Sequence, residues 1–117
     1  MIEELNDETR KQLDDNRISV VKVSASWCLP CKMLKSRFKK WEKRFGVYRD
    51  REIKYYEVDG DKCPNFKREF GIDRYPSTLF FIYGVLVFVQ HGITSEKIHE
   101  KMLKKTLNIR YERENNG

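Results

Sequence analysis

Cys28 and Cys31 stand three residues apart in Trp27-Cys28-Leu29-Pro30-Cys31-Lys32, and that spacing suits reversible disulfide chemistry. Thiols three apart on the first turn of a helix occupy neighbouring positions of one face, so they close to a disulfide and reopen without unfolding anything. At a helix N-terminus Cys28 meets unpaired N–H groups and the positive end of the macrodipole, which favour a thiolate by about 0.3–1 kcal/mol. Cys28 is therefore expected to attack, and Cys31, one turn further in and more shielded, to resolve the mixed disulfide. Pro30 suits the first turn, where its missing N–H costs nothing. Two other readings of the pair remain open. One is two buried structural cysteines. The other is zinc, which needs four ligands, whereas Cys63, His91 and His99 fall in no second C-x-x-C or H-x-H grouping.

The elements that must hold this pair are legible from periodicity. Val20-Val21-Lys22-Val23 is β-branched and short enough for a strand, central and running to Ser24, while Met33, Leu34, Phe38, Trp41 and Phe45 recur at helical spacing, so the cysteines fall at a strand-to-helix junction. The helix should run from Cys28 to about Arg44, with an apolar stripe, a Lys/Arg-rich outer face and Gly46 at its end. Before it, Ile2 to Leu5 reads as an edge strand, and Asn6 followed by Asp7 and Glu8 starts a helix to about Asp14. After it come a strand over Ile53 to Val58, a turn at Asp59-Gly60-Asp61 and a short helix from Pro64 to Phe70, with Phe66 and Phe70 facing the core. Thr78 to Ile82 and Val85 to Val89 read as a hairpin turning at Tyr83-Gly84; Ser95 caps a last helix carrying Ile98, Met102 and Leu107. Strands alternating with helices, then a hairpin and a terminal helix, predict an α/β fold: a mixed central sheet of four to five strands with helices on both faces. One domain over residues 1–109 is expected, followed by a polar tail over 110–117.

Two motifs resemble the thioredoxin family. Trp27-Cys28-Leu29-Pro30-Cys31-Lys32, preceded by Val23-Ser24-Ala25-Ser26, is similar to the family's W-C-G-P-C-K active site. Gly71-Ile72-Asp73-Arg74-Tyr75-Pro76-Ser77-Thr78 is similar to the stretch in which a cis-proline precedes a strand. Gly84 and Gly92 fall where the family has a hairpin glycine and a groove glycine, and the match spans about Leu5 to Leu107. The resemblance implies a thioredoxin-like fold and a protein disulfide reductase. Tyr75 would then offer its backbone to an extended substrate, with Trp27, Leu29, Pro30, Pro76 and Ile93 as the apolar rim around Cys28. Leu29 replaces the usual glycine, and since ~30 mV corresponds to ~1.4 kcal/mol for a two-electron couple, one altered backbone bond there shifts the redox poise noticeably. Ser36 stands where most of the family carries a helix-kinking proline, so a straighter helix is expected.

Lys22 departs furthest from the family, which usually buries an aspartate at that position to take the proton of the resolving cysteine. A lysine on a central strand must pair, lose its proton or reach water along its stem. Glu57 is its expected partner if the two strands register as the motifs imply. Cys63, before Pro64, is expected to be non-catalytic, with a regulatory role as an exposed thiol as the sharper alternative.

The 117-residue length suits one domain, and 39% hydrophobic content with 13% aromatics argues against disorder. Three cysteines make no disulfide scaffold, and Met1 to Leu5 is acidic without an apolar signal core, so a cytoplasmic, reducing compartment is expected. No apolar run is long enough for a membrane span. The net charge of +6 is spread among interleaved acids and reads as a solvated basic surface rather than a nucleic-acid site. The expected protein is a monomer without organic cofactor or metal, acting on disulfide-containing proteins and re-reduced by a thioredoxin reductase-type donor. A glutaredoxin-like, glutathione-dependent reductase and a thioredoxin-fold binding or processivity subunit with an incidental dithiol are the alternatives.

Overall fold

The computed structural model describes residues 1–109; the tail expected over 110–117 lies outside them. Strand β2, Ile18–Ser24, organises the rest. Four of its seven residues, Ile18, Val20, Val21 and Val23, are apolar, and every position but Ser24 is buried, as befits a strand covered on both faces. It pairs in parallel with β4 (Arg51–Asp59) and antiparallel with β5 (Ser77–Ile82). Strand β1 (Glu3–Leu5) lies outside β4, and β6 (Val85–His91) outside β5, giving the order β1-β4-β2-β5-β6.

The sheet has six strands, one more than the sequence reading allows, because Val47–Tyr48 forms a short β3 against the start of β4. The turn between them places Arg49 and Asp50 in the left-handed region, a hairpin conformation for which neither residue is a strong signal. At the other hairpin Tyr83 and Gly84 both have positive φ, as a tight two-residue turn requires.

Alternation along the strands sends side chains to two cores. Val21, Val23, Tyr56, Val58, Leu79 and Phe81 pack with Leu13 and with Phe66 of helix α2, Pro64–Phe70. Ile18, Val20, Ile53, Tyr55 and Phe80 pack on the opposite face, against Leu34, Phe38, Trp41 and Phe45 of α1 (Leu29–Phe45) and Leu103 of α3 (Glu96–Leu107). Helix α1 runs past Ser36 as one uninterrupted element and ends at Gly46.

Three expectations need correction. The first helix is a 3-10 helix over Arg10–Asp15, preceded by a turn in which Asn6 Oδ1 accepts from the N–H groups of Glu8 and Thr9. Only Leu13 of this segment is buried, and one anchoring side chain does not hold several α-helical turns against the sheet. Ser95 caps α3 as expected, its Oγ accepting from Ile98 N at 3.2 Å. However, the buried stripe is His99, Leu103 and Thr106, while Ile98 is 44% exposed. Histidine wins the inner position because a pocket of Trp41, Phe45, Tyr55 and Phe80 rings receives it. Finally, Cys63 is not exposed: it retains 2% of its surface, packs in the α2 core, and burial pushes its thiol pKa up.

Candidate active site

Strand β2 ends at Ser24, and Ala25 to Trp27 lead directly into α1, whose N-cap is Cys28. The Cys28 sulfur accepts from Cys31 N–H at 3.2 Å, satisfying one of the donors that a helix start leaves open. Pro30 lies in the first turn, where no N–H is needed. Cys28 and Cys31 are joined by a disulfide, with Cα atoms 5.3 Å apart. Exposure does not rank them, at 3% and 4%; the cap position, not shielding, distinguishes Cys28.

The second motif meets the first. The Tyr75–Pro76 peptide is cis, and Tyr75 packs against the cluster formed by Ala25, Cys28 and Cys31. Pro76 O accepts from Gly92 N at 2.8 Å, and Gly92 has a φ of 79°, so the residue before Ile93 is tied to the cis-proline. Trp27 is 69% exposed and Leu29 stands equally open on the first turn of α1. The rings of Trp27 and Tyr75 lie 5.8 Å apart.

Asp61 holds this rim together and was legible in the sequence only as a turn residue. Trp27 Nε1 donates to Asp61 Oδ2 at 2.6 Å, and the Tyr75 hydroxyl donates to Asp61 Oδ1 at 3.3 Å. One carboxylate from the loop after β4 thus binds an aromatic from each motif. Gly60 beside it is required for space, since a Cβ there would overlap the Tyr75 hydroxyl. No periodicity marks such a contact, because three separate loops meet only when the sheet is assembled.

Lys22 lies beneath the disulfide on the α1 side of the sheet, 3% exposed, with its Nζ 5.4 Å from the Phe38 ring centroid. Lys22 and Glu57 are register partners on β2 and β4, and Nζ stands 3.6 Å from Glu57 Oε2, so the expected pairing is present. Burial lowers the Lys22 pKa, Glu57 opposes that shift, and Lys35 and Lys39 add to it. A cavity of about 330 Å³ is lined by Lys22, Glu57 and Cys31 together, so the buried ammonium, its carboxylate and the inner sulfur share one opening. Among the described residues no group of three or more His, Cys, Asp or Glu is placed to hold a metal ion.

Comparison with known proteins agrees with this geometry. The Thioredoxin family model matches residues 1–106. The chain belongs to the thioredoxin family. It is 30% identical over 96 residues to Thioredoxin H4 of Arabidopsis thaliana, covering 82% of this chain and 77% of that one. It is 30% identical over 89 residues to a thioredoxin of Borreliella burgdorferi, covering 76% and 73%. A solved thioredoxin structure from Plasmodium falciparum superposes with a TM-score of 0.76 at 18% identity, over 89% of this chain and 98% of that chain, which supports the fold. With its C-x-x-C pair, this thioredoxin-family chain is a thiol–disulfide oxidoreductase. No helix among its described residues is long and apolar enough to cross a membrane.

Proposed function

We propose that this protein reduces disulfides of other proteins, with Cys28 as nucleophile and Cys31 as resolving thiol. The observation that carries the reading is the position of Cys28 as N-cap of α1, against Tyr75 and its cis-proline. In the reduced enzyme the Cys28 thiolate attacks one sulfur of the substrate disulfide; a mixed disulfide forms and one substrate thiolate leaves. Cys31 then gives up its proton, its thiolate attacks Cys28 Sγ, and the second substrate thiolate departs as the Cys28–Cys31 disulfide closes. Two electrons pass from the dithiol to the substrate, and a thioredoxin reductase-type donor restores them.

The Lys22–Glu57 pair is the proton acceptor this reading assigns to Cys31, because all three line one cavity and burial lowers the lysine pKa. Trp27, Leu29, Pro30, Tyr75, Pro76 and Ile93 form the substrate rim, on which Tyr75 presents backbone to an extended segment. The same reading has the protein work as a monomer in the cytoplasm, needing neither organic cofactor nor metal. Insulin reduction by wild type and by Cys28→Ser/Cys31→Ser tests it. Turnover should vanish in the double variant; no turnover by wild type above that of the double variant would reduce the fold to a binding platform, and dependence on glutathione would favour the glutaredoxin-like alternative.

A further inference from the structure

The protein's net charge has one address. Helix α1 carries seven Lys or Arg and one Glu, a net charge of six, equal to the +6 of the whole chain. Everything outside α1 is therefore balanced, and the excess begins one residue after Cys31. Four of these lysines, Lys32, Lys35, Lys39 and Lys43, follow one another at spacings of three or four residues, which aligns them along one helix face. All four are exposed. The other cations of α1 are partly engaged elsewhere: Arg37 donates to Thr94 O at 2.9 Å, and Arg44 pairs with Glu96 at 2.9 Å.

This row borders a groove rather than a convex surface. The cavity that holds Cys31 is also lined by Lys32 and Lys35. A second cavity of about 490 Å³ continues from it along α1, sharing Lys22, Lys35 and Glu57 with the first and adding Lys39 and Lys43. Two of the four carboxylates lining these cavities already have cationic partners. Glu57 pairs with Lys22, and Glu42 is bonded to the Met1 amine. Glu4 and Asp59 border only the first cavity, on the sheet side. From Cys28 the row extends about 6 to 22 Å along the helix axis at 1.5 Å per residue, so its near half lies within about a Debye length of a disulfide docked at Cys28.

We infer that the Lys32–Lys35–Lys39–Lys43 groove is a docking rail that selects substrate proteins carrying an acidic segment beside the disulfide. The inference rests on the reductase reading and names the substrate class of that site. A protein segment fits better than a nucleic acid because the row is continuous with the opening to the dithiol, and among the described residues no aromatic side chain lines either cavity to stack a base. Same-sign charge along a groove raises the encounter rate with an opposite partner and slows a like-charged one, and salt removes both effects.

The test follows oxidation of the pre-reduced protein, by mixing it with a single disulfide-looped peptide bearing either a glutamate-rich or a lysine-rich flank. The acidic peptide should react about tenfold faster at low ionic strength, with the ratio collapsing toward unity at high salt. Lys35→Glu/Lys39→Glu/Lys43→Glu should invert the preference, each peptide rate being divided by that variant's own rate with uncharged 2-hydroxyethyl disulfide, because Lys35 and Lys39 also bias the Lys22 pKa. An unaltered preference in that variant, or no preference in wild type, overturns the rail and leaves the reductase reading intact. If the charge reversal impairs folding, Lys35→Gln/Lys39→Gln/Lys43→Gln decides instead: the ratio must fall to near one, and its retention refutes the proposal. Failure of wild type to reduce insulin defeats the reductase reading and the rail with it. Stronger competition by a single-stranded oligonucleotide than by polyglutamate of equal charge overturns the assignment to an acidic protein.

Discussion

Two titratable side chains are buried between α1 and the same face of the sheet, and they have opposite surroundings. His99 stacks on Trp41 with centroids 4.4 Å apart, and its Nε2 lies 2.7 Å from the Tyr55 hydroxyl. Among the described residues no charged partner faces it, and burial drives its pKa down to about 3. Lys22 lies on the other side of Phe38, toward the dithiol, with a carboxylate at 3.6 Å and a cavity leading out past Cys31. A sealed group surrounded by rings can only be neutral, so it serves packing. A buried group with a counter-ion and an opening can gain and lose a proton, so it can serve chemistry.

Acid should break the comparison most visibly. Between pH 6.5 and about 3 the unfolded chain protonates His99 while the folded chain does not, so stability is full above that window and falls as pH drops through it. The loss should reach on the order of 4 kcal/mol at its lower end, at ~1.4 kcal/mol per pKa unit. Denaturant titrations across this range should show that slope, and His99→Leu should flatten it. At neutral pH the same variant should be about 1–3 kcal/mol less stable than wild type, because the Tyr55 hydroxyl loses its partner. A slope unchanged in His99→Leu would mean that other groups govern acid unfolding.

Lys22→Met should do the reverse. Turnover should drop by about tenfold to a hundredfold through slowed resolution of the mixed disulfide, with stability altered by less than about 1 kcal/mol, since the lysine's desolvation cost is relieved and Glu57, a third exposed, stays hydrated without its partner. Trapping with iodoacetamide during a single turnover should show accumulated mixed disulfide; a large stability loss with intact kinetics would make Lys22 as structural as His99. A finer measurement is the double-mutant cycle of Lys22→Met with Glu57→Gln. Because Glu57 is a third exposed, the coupling should be modest, about 0.5–1 kcal/mol, and strict additivity would mean that the pair contributes nothing.

The smallest expected effect is at Cys63. In the reduced protein iodoacetamide should label Cys28 before Cys31 or Cys63, because the helix start favours its thiolate, whereas Cys63 is buried with a raised pKa. Cys63→Ser should leave turnover unchanged. Early labelling at Cys63 would show that its pocket opens readily.

Much of this molecule was determined by sequence acting locally. The change from strand to helix period at Cys28, the proline in the first turn of α1, Ser95 as a cap and Tyr83-Gly84 as a turn each depend on residues within a few positions of one another. Such features need no knowledge of the rest of the chain. The tertiary structure decided what depends on distant segments arriving together. His99 rather than Ile98 faces inward because rings from α1, β4 and β5 form its pocket, and Cys63 is buried because α2 folds back onto the sheet. Asp61 binds Trp27 and Tyr75 across gaps of 34 and 14 residues, which no spacing rule relates. The even interleaving of charges read along the chain likewise conceals a row of lysines on one helix face. Interleaving is a property of the linear order, whereas a helix sorts residues by angle, and α1 gathers four lysines on the side that borders Cys31.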